Sequence, residues 1–442
     1  EVKISDIEDS LKMIDIKFIR ENPEIVKNDL KKRGLHQKIE WIDDLIEKEK
    51  KYRQILQDCE KLRHDRNILT EEINQLKKQG RDIKEKIQSA RELPQKISNL
   101  ENEITEIKDK INYYLMNIPN ILHQSVPVGK DDSKNVTVRS YGKIPKKKFE
   151  LKAHGELLEE LGLADFSSAG NVSGNGFYYL LGDIALLELA LINYAINNLT
   201  KKGYVLVTPP FMLRRKPYEG VTSLDDFQNM MYKIDGEDLY LIATSEHSIA
   251  SMHIGKIFNT GELPLKYVGI SPCFRKEIGS HGIDTKGLFR VHQFYKVEQF
   301  IFSLPKDSWG FHEELIKNAE ELFKGLKLPY RIVNICTGDI GIIASKKYDL
   351  EVYMPREGKY REVVSCSNCT SYQAVRLNMK YKDGEQKDYV HTLNSTAIAT
   401  TRVIRAIVES YQQEDGTISV PTVLRKYMQG KKIIGAIKKS TH

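Results

Sequence analysis

The feature that most constrains the fold is a long stretch without proline or glycine, from His36 to Gln79. Within it, apolar residues recur seven positions apart in two series, which interleave at spacings of three and four as in a coiled-coil seam. The two series are Leu45, Tyr52, Cys59 and Ile73, and Ile55, Leu62, Leu69 and Leu76. A helix of this length would rise about 65 Å at ~1.5 Å per residue, so it needs a partner along its apolar stripe.

A second helical pattern follows the turn at Gly80 and supplies that partner. The three-four spacing returns at Ile97, Leu100, Ile104, Ile107, Ile111, Tyr114 and Ile118. We therefore predict an antiparallel α-helical coiled-coil arm over about 36–118. Arg66 interrupts the first seam and Pro94 the second, and we expect a kink or a phase slip near Pro94.

The arm is neutral as a whole, with 17 basic and 17 acidic residues in 36–118, but its tip is basic. The basic residues around the turn are Lys77, Lys78, Arg81, Lys84, Lys86 and Arg91. Such a tip suits the phosphate backbone of a nucleic acid. A solvated coiled-coil end or a dimerisation element has the same composition. Charge alone favours these two interpretations over nucleic-acid binding.

Composition narrows the class of protein. The net charge of +7 permits an anionic partner without establishing one. Five cysteines in 442 residues do not form a disulfide framework, so a reducing compartment, the cytoplasm, is expected. The most apolar stretch, 180–196, carries Asp183 and Glu188, which predicts a buried amphipathic helix rather than a membrane span. No secretory leader is expected.

The chain changes character after the arm. Residues 119–150 contain several prolines and glycines and are predicted to be a linker. From residue 151 onward, strand-like segments occur without regular alternation with helices, which predicts an antiparallel β-sheet flanked by helices, an α+β fold. The strand-like segments are 205–212, 239–244, 266–270, 289–302, 330–335, 349–355 and 361–365.

Two of these strands carry an unusual polar face. In CFRKEIGSHG, 273–282, Arg275 and Glu277 are two apart and are predicted to point the same way. In LFRVHQFYKVEQF, 288–300, one face is predicted to hold Arg290, His292, Phe294, Lys296 and Glu298. Arginines suit phosphate oxygens, an aromatic ring suits a base, and glutamates suit amines. A cross-strand ladder of salt bridges on an exposed hairpin explains the same pattern.

Other motifs are weaker. No phosphate-binding loop of the G-x-x-x-x-G-K-[ST] type occurs, so a bound nucleotide would be held by side chains. Cys366 and Cys369 form a C-x-x-C, but no second pair has the spacing of a zinc site. His292 and His391 are expected to be hydrogen-bonding strand residues rather than acid-base catalysts.

At this point the sequence resembles a known family. The arginine-x-glutamate segment with RVHQFYKVEQF resembles motif 2 of the class II aminoacyl-tRNA synthetases, GYVLVTPPFM with Pro210 resembles motif 1, and LNSTAIATTRVIRAIVE with Arg402 resembles motif 3. TSE at 244–246 and REVVSCSNCTSYQA at 361–374 are similar to the seryl-tRNA synthetases in particular. The likeness extends from Met13 to the VPTVLRKYM segment at 420–428 and is closest to the archaeal and eukaryotic forms.

The resemblance implies an activity and a domain organisation. The activity is ATP-dependent activation of L-serine to seryl-adenylate, followed by transfer to the 3′-terminal ribose of serine tRNA. Residues 13–118 would bind the tRNA through the arm and its basic tip, and 151–442 would be the catalytic and dimerisation domain of a homodimer without membrane association. Residues 1–12 have no recognised counterpart. Whether selenocysteine tRNA is also charged stays open.

The resemblance also implies roles for individual residues. Arg275 and Arg402 would be catalytic, contacting the α-phosphate with the serine carboxylate and the far phosphates respectively. The ATP-binding residues would be Arg275, Lys276, Glu277, Arg290, Val291, Phe294, Glu362, Val363, Val364, Ser365 and Arg402, with Glu362 and Ser365 coordinating Mg²⁺. The serine-binding residues would be Thr244, Ser245, Glu246, Arg275, Glu298, Asn394 and Thr396.

Two departures from the family pattern and two alternative functions stay open. Gly176 and Val375 occupy positions where the family commonly has arginine, which affects local packing or tRNA contacts. A related enzyme could adenylate an amino acid for another acceptor, such as a carrier protein, although such forms typically lack the arm. A non-catalytic paralogue should have lost Arg275, Glu277, Glu362 or Arg402, and this chain keeps all four.

Overall fold

The computed structural model describes residues 16–223, 229–277 and 287–437. It divides the chain into two compact units, with the boundary between Ile118 and Pro119. The segment 1–12, which has no recognised counterpart in the family, lies outside the described residues, as do Ser280 and His281, an adjacent pair that resembles a nucleophile with its base but is expected to be polar loop sequence.

The first unit is helical and contains the predicted hairpin. Its helices are α1 (Ile16–Glu21), α2 (Pro23–Lys32), α3 (Ile39–Lys78) and α4 (Lys84–Asn117), with a 3₁₀ turn at His36–Lys38. The two long helices pack against each other, so the prediction of a helical arm is confirmed. Pro94 lies inside α4.

The seam of the hairpin is well buried near its base and open towards its turn. Leu45 and Ile111 are almost fully buried, whereas Leu69 and Leu76 are only half-buried and Ile68 is exposed. Polar contacts close the base: the Tyr114 hydroxyl donates to Asp44 Oδ2 at 2.5 Å, and Lys38 Nζ donates to the carbonyl of Asn117 at 2.8 Å. Farther out, Arg63 reaches across to Glu101 at 2.8 Å.

The second unit is built on an eight-stranded sheet. Its strands are β1 (Val136–Tyr141), β4 (Val205–Val207), β8 (Leu265–Phe274), β9 (Gln293–Ser303), β10 (Tyr330–Asn334), β11 (Lys346–Met354), β12 (Lys359–Thr370) and β15 (His391–Ala399). Their order across the sheet is β1-β10-β11-β12-β15-β9-β8-β4. Every neighbouring pair is antiparallel except β4 with β8, which is parallel.

Short strands and helices surround this sheet. The remaining strands are β2 (Ala164–Asp165), β3 (Tyr179–Leu180), β5 (Met212–Leu213), β6 (Tyr240–Leu241), β7 (Ile257–Asn259), β13 (Lys380–Asp383), β14 (Gln386–Tyr389), β16 (Ile418–Ser419) and β17 (Ile433–Ile434). The helices are α5 (His154–Glu160), α6 (Phe166–Ser173), α7 (Gly182–Thr200), α8 (Arg215–Glu219), α9 (Ser245–Ser251), α10 (Ser308–Gly325), α11 (Tyr372–Arg376) and α12 (Thr400–Tyr411).

The main core forms where α7, α10 and α12 cover the sheet with apolar side chains such as Leu187, Leu322 and Ile404. The antiparallel sheet flanked by helices agrees with the predicted fold. The apolar stretch 180–196 forms most of α7, and among the helices that the structure describes none is long and apolar enough to cross a membrane. All five cysteines are buried and free.

Two local predictions from sequence were wrong. The segment 119–150 is more than a linker, because Val136–Tyr141 forms the edge strand β1 against β10, and the Asn120 side chain donates to the carbonyl of Cys369 at 2.8 Å. The strand predicted to begin at 289 begins only at Gln293, and β8 ends at Phe274. Arg275, Glu277, Arg290 and His292 therefore lie beyond the paired strands.

Candidate active site

A cleft of about 310 Å³ opens over the central strands of the sheet. Side chains from β9, β12 and β15, from the ends of β8 and α9, and from the first turn of α12 line it. The residues predicted from sequence that line the cleft are Thr244, Glu246, Arg275, Phe294, Glu298, Glu362, Val363, Ser365, Asn394, Thr396 and Arg402. They are scattered along 159 positions of sequence, and the order of the strands brings them together.

Strand alternation positions the side chains of β9. Phe294, Lys296 and Glu298 face the cleft, while Val297 points into the core on the other side of the sheet. On the neighbouring strand β15, Thr396 stands directly opposite Glu298. Its Oγ1 donates to Glu298 Oε2 at 3.2 Å. The predicted functional face of this strand is therefore present, but only from residue 294 onward.

Two buried carboxylates lie at one end of the cleft. Glu246 lies in the first turn of α9, two residues after the N-cap residue Thr244. Its Oε1 accepts hydrogen bonds from Gln373 Nε2 and Asn394 Nδ2, both at 3.0 Å. Burial, together with the charge of Glu298, raises the pKa of Glu246 to about 7. Burial also raises the pKa of Glu298, while Lys296 Nζ, 2.6 Å from Glu298 Oε2, opposes that rise. This end is a negatively polarised pocket suited to an ammonium group.

Arg275 stands beside this pocket at the end of β8. Its guanidinium lies 5.4 Å from the centroid of the Phe294 ring, and its Nη2 is 3.5 Å from the carbonyl oxygen of Ala243. Its Nε is buried and makes no hydrogen bond within the part of the chain that the structure describes. A half-buried guanidinium whose Nε makes no hydrogen bond to the described residues is suited to bind an oxyanion.

A β-bulge places Glu362 and Ser365 on the same side of β12. In a regular strand, residues three apart point to opposite faces. Here Leu350 pairs with Val364 but Glu351 pairs with Glu362, so Val363 is the extra residue of a bulge, and both polar side chains line the cleft. The sequence offers no signal for this irregularity.

Arg402, in the first turn of α12, contacts both the backbone and the side chain of Glu362. Its Nη1 donates to the Glu362 carbonyl at 3.1 Å and lies 3.3 Å from Oε1 of the same residue. Burial opposes ionisation of Glu362, but Arg402, Lys347 and Arg275 keep its pKa low, at about 2. Glu362 is therefore a carboxylate at neutral pH.

The donor set of Glu362 and Ser365 fits Mg²⁺, because both offer oxygen and the carboxylate is ionised. Among the described residues there is no group of three or more histidine, cysteine, aspartate or glutamate side chains that could hold a metal ion. A Mg²⁺ ion here would need further oxygen ligands from water and from a phosphate, as this ion commonly has in nucleotide-binding sites.

Several residues with predicted roles do not line the cleft. Glu277 has a left-handed backbone (φ 45°) and lies 3.6 Å from Arg290 Nε, so the prediction that it shares a strand face with Arg275 was wrong. Ser245 packs against Gly269, where an added Cβ would lie 2.7 Å from the Ser245 hydroxyl. Lys276, Arg290, Val291 and Val364 also lie outside the lining, the two valines being buried.

The basic residues of the arm tip belong to the other unit. Lys77 and Lys78 end α3, Arg81 lies in the turn, and Lys84, Lys86 and Arg91 begin α4. Five of the six are exposed, and Lys86 forms an ion pair with Glu72 on the facing helix.

The cleft also contains residues that had no predicted role. Lys296 belongs to the predicted polar face, so alternation could have identified it. His247, Met230 and Met231 also line the cleft. His247 directly follows the TSE motif, whereas no sequence motif marks the two methionines. Burial lowers the pKa of His247 to about 3, so its ring is neutral.

Comparison with known proteins agrees with this geometry. A family model for the seryl-tRNA synthetase N-terminal domain matches residues 13–122, and one for the tRNA synthetase class II core domain (G, H, P, S and T) matches residues 230–411. A serine–tRNA ligase of Methanocella arvoryzae is 56% identical over 421 residues, which cover 95% of this chain and 99% of the relative.

Two solved structures are similar along the whole chain. The seryl-tRNA synthetase of Pyrococcus horikoshii, complexed with ATP, has a TM-score of 0.86 and 51% identity, covering 96% of this chain and 100% of that one. The cytoplasmic serine–tRNA ligase of Naegleria fowleri, in complex with AMP, has a TM-score of 0.81 and 39% identity, covering 96% and 99%. The chain belongs to the seryl-tRNA synthetases, within the class II aminoacyl-tRNA synthetases.

Proposed function

We propose that this enzyme activates L-serine with ATP in the cleft and then transfers the seryl group to the 3′-terminal ribose of serine tRNA. The observation that carries the proposal is the division of the cleft into an acidic end and a basic end. Glu246 and Glu298 form the first, Arg275 and Arg402 form the second, and the Phe294 ring lies 5.4 Å from the Arg275 guanidinium. Serine presents an ammonium group, and ATP presents phosphates.

The acidic end would bind serine. The carboxyl oxygens of Glu246 and Glu298 would accept hydrogen bonds from the α-ammonium group. The Thr396 hydroxyl and the Asn394 amide lie beside them and would pair with the serine hydroxyl. Alanine has no hydroxyl group to bond to these buried polar side chains and would be rejected strongly, whereas threonine must be excluded by the tightness of the pocket.

The basic end would bind ATP. Arg275 would contact the α-phosphate and the serine carboxylate, thereby bringing two anions together for in-line attack. Phe294 would stack on the adenine ring, and Arg402 would contact the far phosphates. The relative from Pyrococcus horikoshii is complexed with ATP, which supports the same ligand here.

Glu362 and Ser365 would hold Mg²⁺, which supplies charge neutralisation at the phosphates when it is bound. Arg402 keeps the Glu362 carboxylate ionised and is bonded to its backbone, so it would orient this ligand as well as contact phosphate. Glu277 and Arg290, outside the cleft lining, retain their proposed roles with the adenine amino group and the folded-back triphosphate, as do Lys276, Val291 and Val364 along the ATP-binding segments.

Further proposals follow from the family. The arm would contact the long variable arm of serine tRNA through its shape and backbone. A homodimer would form through α7 and β4, where Leu189, Val205 and Leu206 expose 56%, 59% and 46% of their surface. We place the enzyme in the cytoplasm, 13–118 as its tRNA-binding domain and 151–442 as its catalytic domain.

Serine-dependent exchange of labelled pyrophosphate into ATP tests the first step, with threonine, alanine and glycine as competitors. Arg402→Ala should reduce exchange by about 100-fold or more, as expected for loss of a charged contact to the transition state. Arg361→Ala is the matched control, since this arginine pairs with Glu357 outside the cleft. If no amino acid supports exchange, the proposal is overturned. Serine-dependent exchange without tRNA charging would indicate another acceptor.

A further inference from the structure

His292 connects three segments around the backbone of Arg275. The amide of Arg275 donates to the carbonyl of His292 at 2.9 Å, and the carbonyl of Arg275 lies 2.8 Å from His292 Nδ1. The same ring nitrogen lies 2.9 Å from the Tyr232 hydroxyl. The two backbone polar groups of Arg275 are therefore both bonded to one residue.

These distances fix where the His292 ring carries a proton. A carbonyl oxygen can only accept a hydrogen bond, so the contact with Arg275 requires a proton on Nδ1. The Tyr232 oxygen then shares that proton as a second acceptor. The next residue, Lys276, donates its amide to the carbonyl of Met230 at 3.0 Å, so the segment that carries Tyr232 is also tied to the Arg275 segment.

A close approach on the other side holds the ring in place. The His292 amide donates to the Gly176 carbonyl at 3.0 Å, and the ring stacks on Phe177 with centroids 5.2 Å apart. A Cβ at Gly176 would lie 2.6 Å from the His292 ring, and Gly176 has a φ of +85°, so a larger residue would displace the histidine. The glycine at this position, where the family commonly has arginine, is thus required by this arrangement.

We infer that His292, supported by Tyr232, is a positioning residue that sets where the Arg275 guanidinium enters the cleft. This matters because β8 ends at Phe274, so the paired strands do not extend to Arg275, and only its amide bonds to the opposite backbone, at the His292 carbonyl. The histidine replaces the missing strand pairing with a side-chain bond to the Arg275 carbonyl. The inference rests on the proposed function, in which Arg275 contacts the α-phosphate and the serine carboxylate.

The test compares His292→Asn with His292→Leu. The two replacements have nearly the same shape, but asparagine keeps an N–H donor close to the position of Nδ1, and leucine has none. Active sites are counted from the burst of adenylate formation, so unfolded protein does not enter the rate. We expect His292→Leu to lower pyrophosphate exchange per active site about tenfold, as for loss of one buried hydrogen bond, and His292→Asn to restore most of it. Tyr232→Phe should lower it about threefold.

His253→Leu is the matched control, because His253 also contacts a tyrosine hydroxyl, that of Tyr267 at 3.2 Å, but does not line the cleft. Equal rates for the asparagine and leucine variants would overturn the inference, whether both are high or both are low. Should His292→Leu not fold, an unchanged rate in Tyr232→Phe, or a tenfold loss of rate in His292→Asn, would overturn it too. Absence of serine-dependent exchange in the native enzyme would instead contradict the proposed function.

Discussion

Thr396 lies directly opposite Glu298 across the β15–β9 pair, and its hydroxyl donates to the Glu298 carboxylate at 3.2 Å. Replacing Thr396 by valine keeps the shape and removes the donor. Because the acceptor is buried, we expect serine-dependent kcat/KM to fall roughly 5- to 100-fold, from a cost of about 1–3 kcal/mol.

The measurement is pyrophosphate exchange at varied serine concentration. Thr200→Val is a suitable control, since its hydroxyl only bonds to the carbonyl of Ile196 on an exposed part of α7. An unchanged kcat/KM in Thr396→Val would show that the hydroxyl takes no part in serine binding.

The raised pKa of Glu246 predicts a pH-dependent stability. A carboxyl group with a pKa of about 7 in the folded protein and 4.5 as its ordinary value takes up a proton on folding between these pH values. Its contribution to the free energy of unfolding is full below pH 4.5 and is lost as the pH rises to about 7. One pKa unit corresponds to ~1.4 kcal/mol, so the total loss is roughly 3 kcal/mol.

Urea unfolding between pH 5 and 8 measures this effect. Glu246→Gln should gain stability relative to the native protein as the pH rises, because the amide cannot ionise. Glu414→Gln, at an exposed position, controls for removal of a charge. Parallel pH profiles for the native protein and Glu246→Gln would contradict the prediction.

The buried ion pair of Lys296 and Glu298 predicts a large loss of stability when one partner is removed. The two side chains expose 8% and 1% of their surface and are 2.6 Å apart. Lys296→Met would leave a buried carboxylate without its cation, which costs about 3–5 kcal/mol. Lys152→Met breaks the exposed pair with Glu160 and should cost at most about 1 kcal/mol. Urea unfolding of both variants provides the comparison, and equal losses would refute the prediction.

If the basic arm tip binds tRNA, removing its charges should impair tRNA charging without affecting serine activation. Lys77→Gln with Lys78→Gln removes two exposed charges at the end of α3, so tRNA charging should weaken and depend less on salt, while pyrophosphate exchange is retained. Lys50→Gln with Lys61→Gln removes two exposed charges lower on the same helix as a control. Equal charging by both double variants would place the tRNA contact elsewhere.

The arm could be predicted because its seam repeats over many residues and has one physical explanation. The polar face of β9 was predictable for the same reason, from Phe294 to Glu298. The failures occur where tertiary contacts override local pattern. Glu277 leaves the strand face because β8 ends before it, and β1 pairs with the sheet although its surroundings read as a linker.

The bulge at Val363 could not be predicted from sequence, for a different reason. Alternation assigns Glu362 and Ser365 to opposite faces, and only the pairing of β12 with β11 shows that one extra residue reverses this. The partners of the site, Gln373 beside Glu246 and His292 beside Arg275, likewise depend on which segments meet in space. Resemblance to a family supplied the roles of individual residues, which spacing alone could not.

The acidic end of the cleft, where serine is proposed to bind, has side chains from β9 and β15, which have hydrogen-bonded strands on both sides. A pocket on flexible loops can yield to a larger ligand at small cost, but a pocket walled by central strands can widen only if a whole ladder of backbone bonds shifts. Under the proposed function, an extra methyl group on the substrate would therefore meet a wall with the stiffness of the entire sheet. Discrimination against threonine would then be a mechanical property of the fold, to which residues far from the ligand contribute.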